Sequence, residues 1–111
     1  LKLSFTPDTF KMIDAVAITA GSPATVWTPG SGKKVRLLGW VLSTSAGAAL
    51  EFQDSGAAGT VIAQTPLLAA AGTHNAPALG EGLLLATADN TLDLDVTSNA
   101  TVSGMVFGVE E

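Results

Sequence analysis

The residues of this sequence best suited to chemistry are acids. In the segment 91–97, TLDLDVT, Asp93 and Asp95 stand two apart between Leu92, Leu94 and Val96, and Asp89 lies just before them. Such a row could be a divalent-cation site, a catalytic carboxylate pair or the wet side of a strand. Calcium asks for about six to eight converging oxygens, and these three acids come without a glycine-turned ligand loop. The paired carboxylates of a glycosidase stand about 5–10 Å apart across a cleft, and nothing in the surrounding pattern builds a cleft. A period of two accounts for the whole segment: Leu92, Leu94 and Val96 face a core while Thr91, Asp93, Asp95 and Thr97 face water. The expectation is an amphipathic strand with solvated carboxylates, a weak divalent site being the second choice.

The other reactive types are sparse. His74 is the only histidine and there is no cysteine, which excludes histidine-rich or thiolate metal sets and disulfides. A nucleophilic triad would need His74 beside a serine such as Ser103 or Ser55, and no strand–Ser–helix elbow is present. His74 therefore reads as a surface-loop residue. Trp27, in TVWTPG, lies next to a turn; packing is the favoured reading, with an exposed indole against a sugar ring as the alternative. Trp40 lies mid-strand, as a core or interface residue. NAT at 99–101 fits a glycosylation acceptor but is equally good turn chemistry. No catalytic residue, metal ligand or cofactor site is expected.

The elements that would position these residues are strands. Short runs rich in Val, Ile, Leu and Thr alternate with clusters of Gly, Pro, Asn, Ser and Asp. Strands are predicted at about 12–20, 24–28, 34–45, 48–53, 59–65, 82–87, 91–97 and 100–109, and no window carries a capped helical stripe. This predicts an all-β fold, a jelly roll or β-sandwich of about eight short antiparallel strands in a single domain over 12–111. Residues 1–11, LKLSFTPDTFK, have large apolar side chains at irregular spacing around Pro7 and read as an extended N-terminal arm. In VRLLGWVL, Val35, Leu37 and Val41 would point one way and Leu38, Trp40 and Leu42 the other. Such a strand, apolar on both faces, asks for a partner subunit or for cover by the arm. Gly39 and Gly104, inside strands, mark a bulge or a close approach of another backbone, and for Gly104 an approach by a neighbour is favoured.

Composition adds a second argument for a partner. Hydrophobic residues make up 47 % of the 111 and charged residues 14 %, against a usual charged share of about 25 %. So little charge implies that part of the surface is covered by copies of the chain or by another protein. All five basic residues fall in 1–36 beside two acids, while 37–111 carry eight acids and no base. The asymmetry suggests that a basic N-terminal portion meets an acidic surface on a neighbouring copy or a larger partner. Lys33, Lys34 and Arg36 form the only basic cluster, too little for nucleic acid. No apolar run approaches the roughly 18–20 residues of a membrane span.

The stretch GKKVRLLGWVLSTSAGAALEFQDSGAAGTVIAQTPLLAAAG, with the later GEGLLLATADNTLDLDVTSNATVSGMVFGVEE, resembles a capsid decoration (cement) protein of tailed bacteriophages, of the trimeric jelly-roll type. The resemblance covers about residues 32–107 and is one of composition and spacing, with no diagnostic motif. It implies a non-enzymatic virion structural protein, assembled in the host cytoplasm. Such a protein binds the major capsid protein on the outer surface of an expanded head, as a homotrimer at threefold and quasi-threefold positions. Under it, Leu3, Phe5 and Phe10 of the arm and the Lys33, Lys34, Arg36 cluster would contact the capsid or neighbouring subunits. A carbohydrate- or receptor-binding module of a phage tail or cell surface, using Trp27 and His74, is the alternative.

Overall fold

The computed structural model describes residues 10–55, 60–76 and 82–111. Nine strands follow one another: β1 (Phe10–Ile18), β2 (Ala24–Trp27), β3 (Val35–Thr44), β4 (Leu50–Asp54), β5 (Thr60–Gln64), β6 (Gly72–Ala76), β7 (Leu83–Leu84), β8 (Leu92–Val96) and β9 (Ala100–Glu110). Among the described residues there is no helix. One sheet has the order β1-β9-β3-β6, with β7 also paired to β3, and the other the order β2-β8-β4-β5. All pairings are antiparallel, and they nest: β4 with β5, outside it β3 with β6, then β2 with β8, then β1 with β9. One long hairpin rolled so that successive pairs fall in alternate sheets is a jelly roll, the expected architecture.

Period-two side chains from the two sheets meet in a single core. Trp27, Val35, Leu37, Leu42, Leu50, Phe52, Leu92, Leu94, Val96, Val102 and Val106 are fully enclosed, and Trp40 packs on Phe52 with ring centroids 4.6 Å apart. Each such side chain contributes roughly 1.5–3 kcal/mol relative to leaving it exposed. The β3 strand reaches this core differently from the expectation. Its register against β9 slips between Leu37 and Gly39, a one-residue bulge that shifts the alternation. Val35 and Leu37 before the bulge, and Trp40 and Leu42 after it, therefore all point inward, while Val41 points out. The strand is amphipathic after all, so its sequence no longer demands a partner on its second face.

Two further differences concern boundaries. The strand β6, GTHNA, lies where turn chemistry was expected, and it pairs Gly72–Ala76 with Thr44–Trp40. The strand β1 starts at Phe10, within the expected arm; Leu3 and Phe5 lie outside the described residues.

Gly104 accounts for how closely β9 and β3 run. Its φ is +139°, and a Cβ at this position would stand 2.0 Å from the Val41 carbonyl oxygen and 3.0 Å from the Leu42 Cα. The approaching backbone is a strand of the same sheet, not the neighbour that was anticipated. Because the obstacle is the main chain of β3 in a central pairing, it cannot swing away. Gly104→Ala is expected to destabilise the fold by about 2–4 kcal/mol, read as a lowered denaturation midpoint in urea with an unchanged slope. A loss under about 0.5 kcal/mol would show that the two strands can separate locally without cost.

Candidate functional site

Four polar groupings and one apolar row are the places where this fold could do something. The acid row of β8 comes first. As expected, Asp93 and Asp95 point away from the core that Leu92, Leu94 and Val96 enter. Contrary to expectation they are not solvated: they are 6 % and 8 % exposed. The reason is position. The strand β8 lies inside its sheet, between β2 and β4, so short aspartates are overhung by longer neighbours. Asp93 stands in register with Gln53 and Thr25, and Asp95 with Glu51. Asp95 Oδ1 accepts from the Gly21 N–H at 3.1 Å and from the Val96 N–H at 2.8 Å. Asp93 Oδ1 and Gln53 Oε1 are enclosed and accept no hydrogen bond. Asp89, at φ +71°, is occupied elsewhere: its Oδ1 accepts from the Gly32 N–H at 2.7 Å. The row is thus divided among separate tasks, and among the described residues no three acids or histidines are grouped to hold a metal ion.

Asp54, which sequence reasoning passed over, has a defined structural task. Its Oδ1 accepts from the Asn90 side chain at 2.8 Å and the Ser55 hydroxyl at 3.2 Å, and its Oδ2 from the Ala86 N–H at 3.1 Å. The acid at the end of β4 thereby ties down the connection between β7 and β8. The signal was available in principle, since Asp before Ser-Gly is a strong turn former.

Trp27 and the basic cluster belong to one assembly at the open end of the sandwich. Trp27 is fully buried, and its indole N–H donates to Glu110 Oε2 at 2.9 Å, while Lys11 Nζ sits 4.9 Å from the ring centroid. Glu110 Oε1 accepts from the Gly30 N–H at 2.7 Å. Next to it, the Arg36 guanidinium grips Glu111 in a two-pronged contact at 2.9 and 2.6 Å, and Lys34 and Glu111 exchange backbone hydrogen bonds at 2.7 and 2.8 Å. The fork is the geometry in which arginine binds a carboxylate best. Part of the charge complementarity that was expected between chains is therefore met within one chain: the acidic end of β9 folds onto the basic segment 30–36. The buried Trp27 ring is not placed to stack on a ligand.

His74 is a buried strand residue, not the surface-loop residue anticipated, and its Nε2 lies 3.5 Å from Thr44 Oγ1. Burial holds the imidazole below its ordinary pKa, in the neutral form. It lines a cavity of about 390 Å³ at the seam between β6 and the segment that follows β5. Trp40 lines the same cavity. Its indole N–H is closed off from solvent and has no acceptor. Trp27 and His74, paired in the alternative reading, thus occupy different parts of the molecule.

The apolar row crosses the outer face of the five-stranded sheet. Met12 of β1, Met105 of β9 and Val41 of β3 are in register, and they are 72 %, 36 % and 39 % exposed. The neighbouring row holds Phe10 and Phe107. Comparison with protein-family models, with curated proteins and with solved structures finds no match to this chain. Function must therefore be argued from these features.

The Glu110 carboxylate gives a test of the end assembly. The hydrogen bond from Gly30, followed by that from Trp27, holds its pKa below the ordinary value of 4.5, with Lys11 and Lys33 adding a smaller effect. A carboxyl whose pKa is depressed by folding stabilises the fold fully above its unfolded value and loses that contribution as pH falls through its folded value. At neutral pH, Glu110→Gln should lower the melting temperature by a few degrees. Wild type and variant should converge as pH drops below about 4.5. A difference in melting temperature that stays constant between pH 7 and pH 3 would show that the charge of Glu110 is immaterial.

Proposed function

We propose that this chain is a non-enzymatic virion structural protein that binds the outer surface of a phage capsid as a trimer and braces the expanded head. The observation that carries the proposal is the row Met12–Met105–Val41. A methionine 72 % exposed at the edge-strand end of a cross-strand apolar row is a poor surface for a monomer and a good one for a subunit contact. The row lies on the face of a sheet rather than on a loop, and β1, the edge strand that carries Met12, begins at Phe10.

The polar groups support a structural reading. Asp54, Asp89, Asp95, Glu110 and Glu111 each hold a turn, a loop or a neighbouring strand, and Asp95 is thereby the occupied member of the Asp93–Asp95 pair that a catalytic reading would have used. Three subunits packed through equivalent rows would form a rotationally closed ring. A rigid trimer carrying three modest capsid contacts gains an avidity that no single contact has. In this reading Lys33, Lys34, Leu3, Phe5 and Phe10 remain the candidates for contact with a capsid partner, while Arg36 is engaged within the chain by Glu111.

Light scattering over a dilution series tests the subunit contact, and a pull-down on empty expanded heads tests the destination. The chain is expected to be a trimer that pellets with heads. Met12→Asp is expected to give a monomer of nearly unchanged melting temperature, because this side chain is 72 % exposed on the edge strand β1, and head binding should fall by at least about tenfold. Head binding that survives in the monomeric variant would remove the row from the function. A wild type that is monomeric and ignores heads would overturn the proposal.

A further inference from the structure

The geometry points to a binding site for a neutral saccharide in the cavity at the β5–β6 seam, a site independent of the capsid reading. Its volume of about 390 Å³ falls at the lower end of the range of small-molecule sites, about 300–1,000 Å³, and suits a compact ligand such as one or two sugar rings.

The lining selects the chemistry. Among the described residues around the cavity no side chain carries a charge: the amides of Gln64 and Asn75 and the hydroxyl of Thr65 stand with His74, Trp40 and Leu68. His74 is held neutral by burial, and with Nε2 turned to Thr44 Oγ1 it has one ring nitrogen left for a ligand. An anion such as a phosphate finds no cation here, and a metal ion or an amine finds no carboxylate. The described lining thus has no opposite charge with which to reward either kind of ligand for the water it gives up. What remains is an uncharged molecule with many hydroxyls and an apolar face. Amides and hydroxyls match the hydroxyls, while the Trp40, Pro66, Leu68 and Ala76 side chains offer apolar contact for the ring carbons.

The site is also preformed. Trp40 is fixed by packing on Phe52, Thr65 Oγ1 accepts from the Leu50 N–H at 2.8 Å, and His74 sits in a strand paired to β3. A ligand would order little beyond the exposed Gln64 and Asn75 side chains, which keeps the entropic cost of binding low.

The full-length chain labelled with ¹⁵N and titrated by NMR provides the test. The probes are glucose, galactose, mannose and N-acetylglucosamine, with glucuronate and inorganic phosphate as charged controls. At least one neutral sugar is expected to bind saturably, with a Kd of about the millimolar order. It should shift the amides of residues 64–68 and 73–76 and the indole N–H of Trp40, and leave the Trp27 indole, bonded to Glu110, unmoved. Gln64→Ala with Asn75→Ala should weaken binding by about tenfold or more at an unchanged melting temperature, since both side chains are exposed. Three results would each overturn the site: no shift of these amides by any of the four sugars up to about 0.1 M, equal binding of glucuronate or phosphate, or undiminished binding by the double variant. Head binding by Gln64→Ala alone, which leaves the row of Met12, Met105, Val41 and Asn75 intact, reports separately on the capsid reading, so the two proposals fail independently.

Discussion

The one-residue slip between Leu37 and Gly39 is the constraint on which the rest of this fold depends. With an unbroken alternation, Trp40 and Leu42 would stand on the outer face of the large sheet and Val41 in the core. The slip turns the second half of β3 over, so that the largest residue of the strand meets Phe52 of the opposite sheet. Glycine at 39 suits the bulge, and glycine at 104 lets β9 follow the turned-over segment within contact of its backbone. These two positions explain why the central strand pair tolerates residues that sheets usually disfavour. The same slip also creates the surface: Val41 is exposed beside Met105 only because Trp40 is not.

The small number of charges acquires a different meaning once their places are known. Four acids of this chain serve as acceptors at points where a main chain changes direction: Asp54 for the loop before β8, Asp89 for the turn at Gly32, Asp95 for the turn at Gly21, Glu110 for Gly30. Each takes an N–H that would otherwise be unsatisfied at a strand end, and a charged acceptor does this more strongly than a neutral one. Little charge is left over to cover sheet faces, and the outer face of the large sheet carries the row Met12–Met105–Val41 beside the uncharged Ser103, Ser43 and Thr73. Low charge content and an exposed apolar row thus have one cause, the use of carboxylates at the rims.

Much of this was legible in the sequence, and what was not has specific physical reasons. Alternation exposes β8 and its two faces because five residues in strict period two admit no other element. It does not show that β8 is an inner strand, since that depends on which strands pair, and pairing decides whether an outward aspartate is wet. The bulge was signalled only by Gly39, and a glycine alone does not say to which side the phase moves. GTHNA escaped notice because a short polar segment between a glycine and a proline has the composition of a turn; it is a strand because β3 offers it a free edge from Trp40 to Thr44. The cavity was invisible for the same reason, as it exists only between that strand and the chain leaving β5. The basic cluster was visible, but its acidic partner, 75 residues away at Glu111, was not.

The apolar row and the cavity meet at one residue. Asn75 lies in register with Val41, extending the row Met12–Met105–Val41 by one strand, and it also lines the cavity. A subunit laid on the row therefore approaches the cavity rim. The chemistry at that junction is permissive. A neutral amide brought against an apolar surface risks one or two hydrogen bonds, a cost of about 1–3 kcal/mol if they are not replaced, whereas a carboxylate there would resist desolvation far more strongly. The absence of charge that selects a neutral ligand inside the cavity is thus the property that would let a protein partner close over the adjoining face.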